Sequence, residues 1–184
     1  RDLAHISFES GRQIGLLIGR DGAVESVIVG GPRSLFIPDL PKSRGGRWRL
    51  RGIRLVHTHL QAEPLTQDDL MDLVFLRLDC VAAVHVDLHG GATQIEVAHI
   101  LPGAGNDHNH GWEVLPPIPC HAPDLDFQSL VKSLEDELER NRLAIPAAGG
   151  KEDRAILVSI TDQDRESANS SMDELVELAR TGGI

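Results

Sequence analysis

Two histidines and one aspartate are spaced so that together they could bind a metal ion. His57 and His59 follow an apolar run that ends at Val56, and Asp69 comes shortly after them. Side chains two positions apart on a β-strand lie on the same face, so both imidazoles would leave the strand end together. Two imidazoles and a carboxylate form a zinc site whose fourth tetrahedral position is open to water. The spacing therefore predicts a zinc site of the hydrolytic kind.

The same residues also have a purely structural interpretation. The segment Thr66-Gln67-Asp68-Asp69 has the pattern of an N-terminal capping box, with Asp in place of the usual Glu. In that case Thr66 and Asp69 only begin a helix, and the histidines are ordinary strand residues. In the metal hypothesis, Thr66 instead offers its hydroxyl to a substrate oxygen. Both interpretations stay open at the level of the sequence.

The rest of the chain must supply the strands and helices that hold these residues. Short apolar runs predict strands at residues 13–19, 24–29, 34–37, 52–57, 80–86 and 93–100. Apolar residues at helical spacing predict helices at residues 3–11, 66–78, 127–142 and 172–179. Asp21-Gly22 predicts a tight hairpin turn with positive φ at both positions. This mixture of elements predicts an α/β fold.

Charge and composition narrow the classes of function. The 18 basic and 28 acidic residues give a net charge of −10, which argues against nucleic-acid binding over the whole surface. Residues 42–54, however, contain basic side chains and no acidic ones. Within this basic segment Arg44, Arg47, Arg49 and Arg51 are candidates for contact with phosphate, and a solvated Arg-rich loop is the alternative.

Hydropathy and cysteine content bear on location. No apolar run reaches the ~18–20 residues that a membrane span needs. The two cysteines, Cys80 and Cys120, form neither a disulfide framework nor a zinc motif. We therefore expect a cytoplasmic protein that does not insert in a membrane.

The region around the histidines resembles the JAMM (JAB/MPN) metalloproteases. That family has His-x-His-Pro, a short loop, Ser-x-x-Asp, and an upstream Glu near a Gly-Leu-Leu-Gly strand. The segments here are His57-Thr58-His59, Thr66-Gln67-Asp68-Asp69 and Gly15-Leu16-Leu17-Ile18-Gly19. The resemblance covers residues 8–100 and implies a JAMM-like (cytidine-deaminase-like) mixed sheet with flanking helices. It also implies that His57, His59 and Asp69 hold zinc and that Thr66 supports the oxyanion.

The sequence departs from this family at the residue that would activate water. Leu60 stands in place of the family's Pro, and Arg12 stands three residues before Gly15, where the family has its catalytic Glu. A guanidinium cannot accept a proton at neutral pH. Glu9, three residues earlier, is then the preferred candidate for the general base, ahead of Glu25 on the predicted hairpin. We therefore expect metal binding without robust peptidase activity, with a zinc-dependent isopeptidase as the alternative.

A wider resemblance links the chain to the front of an extended HflX-type GTPase, in which a JAMM-like region precedes the HflX N-terminal domain. Residues 171–183 are similar to the Glu-Leu-x-x-Leu-Ala-x-Thr-Ala-Gly helix of that domain. HflX proteins are ribosome-associated, so the resemblance implies the large ribosomal subunit as a partner. The chain has no Gly-x-x-x-x-Gly-Lys-Ser/Thr motif, because Glu152 follows Gly149-Gly150-Lys151. GTP and magnesium would bind only to a G domain outside this chain.

These resemblances also predict the domain boundaries. Residues 1–122 form the JAMM-like domain, residues 123–153 a connecting helix and linker, and residues 154–184 the incomplete start of the HflX N-terminal domain. The last segment begins with a predicted strand at residues 154–160, which needs a partner strand. We expect it to pair with the first domain or with a second copy in a homo-oligomer. Because the chain starts without Met and ends soon after Thr181, we also expect a piece of a longer protein.

Overall fold

A mixed β-sheet with helices packed against it forms the first part of the chain. A computed structural model describes residues 2–40, 49–61, 63–102, 111–122, 124–144, 157–158 and 165–181. Within these residues the sheet has seven strands, β1 (Ile14–Gly19), β2 (Val24–Val29), β3 (Ile53–His59), β4 (Val81–Val86), β5 (Ala92–Ile100), β6 (Trp112–Val114) and β7 (Ile118–Pro119). The described helices are α1 (Asp2–Ser10), α2 (Gln67–Phe75), α3 (Phe127–Ala144) and α4 (Arg165–Thr181). The predicted α/β class with a mixed sheet is confirmed.

The two strands that carry the site lie side by side in the middle of the sheet. The strand order is β2-β1-β3-β4-β5-β6, and β7 pairs with β5. β3 and β4 are parallel, whereas the other pairs are antiparallel. A parallel pair needs a crossover connection, which α2 provides. The beginning of α2 therefore follows directly on the end of β3, where the predicted metal ligands lie.

The core explains why α3 belongs to the first part of the chain. Val131, Leu134 and Leu138 of α3 are buried in the same apolar cluster as Leu55 of β3 and Leu73 of α2. Full burial of such a side chain contributes about 1.5–3 kcal/mol. The compact unit accordingly extends over Arg1–Ala144, and α3 packs into its core rather than serving only as a connector.

The second unit, Ile145–Ile184, is described mainly by α4. The structure confirms the helix that the sequence predicts here, with an ion pair of 2.8 Å between Arg180 Nη1 and Glu177 Oε1. Most of the strand predicted at residues 154–160 lies outside the described residues. The two positions that are described, Leu157 and Val158, are not part of a strand.

Two local predictions are wrong. The turn after β1 has positive φ at Gly22 (+87°) but not at Asp21. Among the described non-glycine residues, positive φ occurs at Arg77 alone. Asp21 Oδ1 instead accepts a hydrogen bond from Ala23 N, which makes a longer loop closed by a side chain. The strand predicted at residues 34–37 is also absent from the described residues.

Leu35 shows why residues 34–37 do not extend the sheet. Gly31 N donates to Ser34 O at 2.7 Å, so the chain turns immediately after β2. Leu35 then packs over the sheet, where a Cβ added at Gly15 would meet its Cδ2 at 2.6 Å. Gly15 pairs with His57 in the neighbouring strand, so this glycine lets Leu35 cover the sheet beside the first histidine.

Candidate metal centre

The two histidines are positioned by β3 and by a polar contact on its opposite face. His57 and His59 share one face at the carboxyl end of the strand, and both are buried. Thr58 points the other way and accepts a hydrogen bond from Ile14 N at 2.9 Å. Its hydroxyl also lies 2.6 Å from Ser7 Oγ, which in turn donates to Arg12 O. Helix α1 and strand β1 therefore fix the backbone between the two imidazoles.

The aspartate is held by the predicted capping box at the start of α2, which is confirmed. Asp69 Oδ2 accepts hydrogen bonds from Thr66 N and from Thr66 Oγ1, both at 2.7 Å. Thr66 Oγ1 in turn accepts from Asp69 N at 3.3 Å. The carboxylate is thus oriented by two donors from one residue. The cap and the metal hypothesis are compatible, because Oδ1 accepts neither of these bonds from Thr66.

The structure brings the three predicted ligands together. His57 Nε2 lies 3.6 Å from Asp69 Oδ1, and His59 Nε2 lies 3.5 Å from Asp69 Oδ2. One ligand atom from each residue falls within 4.8 Å of the other two. Two atoms that each lie about 2.0–2.1 Å from a tetrahedral ion are about 3.3 Å apart, so these separations fit a shared ion.

The second nitrogen of His59 fixes the orientation of its ring. His59 Nδ1 lies 2.8 Å from the carbonyl oxygen of Glu63, to which it donates. His59 Nε2 then faces Asp69, as a lone pair when the ring is neutral and as an N–H donor when the ring is protonated. Metal-binding histidines commonly donate their other ring N–H to a carbonyl or carboxylate in this way. His59 is therefore presented as a ligand.

His57 supplies the second observation that favours an ion. Its side chain is buried, yet within the described part of the chain neither Nδ1 nor Nε2 has a hydrogen-bond partner. Leaving a buried polar group without a partner costs about 1–3 kcal/mol. Few native side chains carry such a cost. A ligand on Nε2 would satisfy one of these two nitrogens.

The charges of the three side chains suit metal binding. Burial lowers the pKa of His57 to about 4, so this ring is neutral near pH 7. Burial also acts on Asp69, but the hydrogen bond with His59 and the charge of His57 outweigh it and lower the pKa of the carboxyl group to about 2. For His59, burial is outweighed by the bonds to Asp69 and Glu63, which raise its pKa. A metal ion would therefore compete with a proton mainly at His59.

The predicted general base is not at this centre. Glu9 lies on α1 with its side chain 66% exposed, and its Oε1 is 3.4 Å from His5 Nε2. Arg12 is also directed away, since its Nη1 donates to Gly30 O at 3.2 Å in an exposed position. The structure thus places neither residue beside the buried imidazoles of His57 and His59.

The described residues include only part of the basic segment. Arg44 and Arg47 lie outside the described residues. Arg49 is exposed, and its carbonyl accepts a hydrogen bond from Arg77 Nε at 3.4 Å. Arg51 Nε donates to Leu76 O at 2.6 Å, at the carboxyl end of α2. Arg51 therefore has a structural role as the last carbonyls of α2 need donors.

Three residues near the site were not singled out by the sequence. Glu63 and Glu96 anchor the loop between β3 and α2, because Glu63 O accepts from His59 and Glu96 Oε2 accepts from Leu65 N at 2.5 Å. His85 of β4 pairs in register with His59, and burial lowers its pKa. The period-two pattern of β4 and β5 places such residues on a face, but it does not say which strand is the neighbour of β3.

Comparisons with known proteins identify no relative of this chain. No family model, no curated protein and no solved structure matched it. The resemblances to JAMM metalloproteases and to HflX-type GTPases therefore stay predictions. Separately, none of the helices in the described residues combines the length and the apolar character that crossing a membrane requires.

Proposed function

We propose that the unit Arg1–Ala144 is a metal-binding domain that holds one zinc ion through His57, His59 and Asp69. The observation that supports this most is the fully buried His57 ring, whose nitrogens have no partner among the described residues while a carboxylate lies 3.6 Å away. Nitrogen ligands from two histidines with one carboxylate oxygen are a donor set that zinc prefers. Bound zinc would polarise a carbonyl or lower the pKa of a water molecule.

We also propose that the domain lacks robust peptidase activity. Hydrolysis needs a base to take the proton of the attacking water, and the Glu expected three positions before Gly15 is replaced by Arg12. Glu9 is exposed and paired with His5. The domain would then bind a substrate-like group without turning it over. A zinc-dependent isopeptidase is the alternative.

Metal analysis of protein purified without added zinc tests the first proposal. We expect about one zinc per chain, lost in His57→Ala, His59→Ala and Asp69→Ala but kept in His89→Ala, which alters an exposed histidine. Folding of each variant is checked by circular dichroism. Equal metal content in the wild type and all three ligand variants would contradict a site at these residues.

Cleavage of an isopeptide-linked substrate tests the second proposal. We expect zinc-loaded protein to show no more than background turnover. Robust cleavage that disappears in Glu9→Gln, with zinc content unchanged, would contradict the proposal and support the isopeptidase alternative. His5→Gln, which removes the partner of Glu9 but leaves the carboxylate, is the matched control.

For the whole chain we propose the ribosome-facing, regulatory front of an HflX-type GTPase in the cytoplasm. The resemblance of residues 171–183 is the support, and the helical conformation of α4 is compatible with it. Sedimentation with the large ribosomal subunit at several salt concentrations tests this. We expect Arg44→Ala, Arg47→Ala and Arg49→Ala to weaken binding and flatten its salt dependence, since each phosphate contact releases counterions. Unchanged binding at every salt concentration would contradict this proposal and support the alternative that the basic segment is a solvated loop.

We further propose that residues 154–184 mediate a homo-oligomer. The predicted strand at residues 154–160 would have an open edge, which a second copy can cover. Analytical ultracentrifugation of the chain and of a form ending at Ala144 compares the two. A concentration-dependent dimer is expected for the full chain and a monomer for the shortened one, and a monomer in both would contradict the proposal.

A further inference from the structure

A third histidine flanks the candidate metal centre without belonging to it. His85 lies directly opposite His59 in the parallel pairing of β3 and β4. Their rings are nearly parallel, at 7°, with centroids 6.2 Å apart. His85 is not one of the residues whose ligand atoms lie within 4.8 Å of one another. It is therefore beside the three ligands, on the same face of the sheet.

The hydrogen bonding of His85 determines which of its nitrogens carries the proton. The side-chain amide nitrogen Nε2 of Gln94 lies 3.1 Å from His85 Nδ1. An amide nitrogen can only donate, so Nδ1 accepts and a neutral ring carries its hydrogen on Nε2. That Nε2 is buried and has no partner among the residues that the structure describes. His85 thus presents an unused donor next to the metal centre.

Thr66 cannot supply the same donor. Its hydroxyl hydrogen goes to Asp69 Oδ2 at 2.7 Å, and its oxygen accepts from Asp69 N. The hydroxyl that the sequence offers to a substrate oxygen is therefore already used in the cap. Of the two residues, His85 is therefore the one with a free donor for an oxygen that binds next to the zinc ligands.

The surrounding charges indicate what kind of oxygen fits. Glu63 and Glu96 both act on His85 electrostatically, and Asp69 lies beside its stacking partner His59. Like charges repel strongly in a partly buried site. A zinc ion would add two positive charges to the three carboxylates of Asp69, Glu63 and Glu96, which leaves a net charge of about −1. An anionic ligand would add to this negative charge, whereas a neutral carbonyl group accepts a hydrogen bond without doing so.

We propose that His85 is a binding residue whose Nε2–H donates to a neutral carbonyl oxygen, of the amide type, held next to His57, His59 and Asp69. This inference rests on the proposed zinc site, because zinc is what would hold the carbonyl group in place. It assigns His85 a role in ligand binding that neither the capping box nor the zinc ligands provide.

Binding of a small carbonyl probe to the zinc-loaded protein tests this role. Acetamide is a neutral amide carbonyl compound, and acetate is its charged counterpart of nearly the same shape. We expect acetamide to bind more tightly than acetate. His85→Phe keeps an aromatic ring against His59 but removes the donor, and should weaken acetamide binding about tenfold with zinc content unchanged. His89→Phe, in the following turn, should change neither quantity.

The other outcomes are separable. If the wild type binds no zinc, the proposed zinc site fails and this inference fails with it. If zinc binds but His85→Phe leaves the probe affinity unchanged, only the role of His85 is contradicted. Loss of zinc in His85→Phe would make His85 a fourth ligand and would also overturn the proposal.

A measurement on the wild type avoids any dependence on how the variant folds. Nitrogen–proton correlation spectra of the histidine rings distinguish the two tautomers. We expect His85 to carry its proton on Nε2, and we expect this proton to shift when acetamide binds. A proton on Nδ1, or an Nε2 proton that does not respond, would overturn the inference.

Discussion

Two buried polar clusters lie at opposite ends of the same pair of parallel strands, and they differ in how their hydrogen bonds are satisfied. Before β4, the buried Asp79 accepts two bonds from Arg20 and one from Gly52 N. Arg20 Nη2 also donates to Glu135 of α3 at 2.8 Å. At the other end, His57 is equally buried but neither of its nitrogens has a partner within the described residues.

The difference separates a cluster that stabilises the fold from one that could hold a metal ion. The hydrogen bond with Asp79 raises the pKa of Arg20, so this cluster stabilises a charge and joins the ends of β1, β3 and β4 to α3. Burial lowers the pKa of His57 and keeps a ligand neutral at a cost to the fold. Buried polar groups in native proteins are nearly always paired. A buried unpaired nitrogen next to a carboxylate is therefore a candidate ligand for a metal ion.

The largest effect is expected from breaking the satisfied cluster. Asp79→Ala leaves Gly52 N without its acceptor and Arg20 without its main partner. Removing one member of a buried ion pair costs about 3–5 kcal/mol, and the partial exposure of Arg20 favours the lower end. Urea denaturation should therefore show a loss of roughly 3 kcal/mol in the free energy of unfolding.

Asp79→Asn serves as the matched control. Its side-chain oxygen still accepts from Gly52 N, but the charge that pairs with Arg20 is gone, so we expect an intermediate loss. A loss below about 1 kcal/mol in Asp79→Ala would show that the cluster contributes little and would remove the contrast with His57.

An effect of similar size is expected at His57, where it appears as a dependence of stability on pH. In metal-free protein the unfolded state takes up a proton near the ordinary histidine pKa of 6.5, but the folded state does so only near 4. Between these values the unfolded state binds more protons, so stability falls as pH falls. The shift corresponds to roughly 3 kcal/mol across this window.

The two neighbours titrate in other windows. The raised pKa of His59 contributes stability that is present below 6.5 and lost as pH rises through its folded value. The carboxyl pKa of Asp69, near 2, contributes stability above 3.8 that is lost at lower pH. His57→Leu should therefore reduce the slope between pH 6.5 and 4 in urea unfolding with a chelator present, and part of the remaining slope is due to His85, whose pKa burial also lowers. An unchanged slope would contradict the contribution of His57 and show that other groups produce the pH dependence.

The sequence predicted the parts of this site that depend on local spacing. The alternation of His57 and His59 along one strand and the capping box at Thr66 are both properties of a few consecutive residues. The convergence with Asp69 follows from them, because a short connection returns the start of α2 to the end of β3. The other six strands of the sheet do not enter into this convergence of His57, His59 and Asp69.

The sequence did not reveal features that depend on which strands are neighbours. His85 joins the site only because β4 lies parallel to β3 in a register that pairs it with His59. Glu96 contributes because β5 is the next strand along. Likewise, residues 34–37 do not form the predicted strand, because the packing of Leu35 over Gly15 outweighs the local β-propensity of this segment. The spacing of residues within one segment does not determine which strands will be its neighbours in the sheet.

The smallest of the three effects distinguishes a helix cap from support of a metal ligand. Thr66→Val keeps the shape of the side chain but removes the hydroxyl that donates to Asp69 Oδ2. Groups that orient metal ligands typically contribute about 10–100-fold in affinity. The backbone N–H of Thr66 still holds the same oxygen, so we expect about tenfold weaker zinc binding in a competition titration. Thr66→Ser should restore the affinity.

Loss of the cap alone would also destabilise the protein by about 1 kcal/mol, so stability cannot separate the two roles. Asp126 provides the control, because it precedes α3 and accepts from Ser129 N and Oγ in the same manner, but on a different helix. Asp126→Ala should reduce stability by a similar amount and leave zinc affinity unchanged. If Thr66→Val behaves like Asp126→Ala in both measurements, Thr66 is only a cap, and the orientation of Asp69 is due to its backbone contact alone.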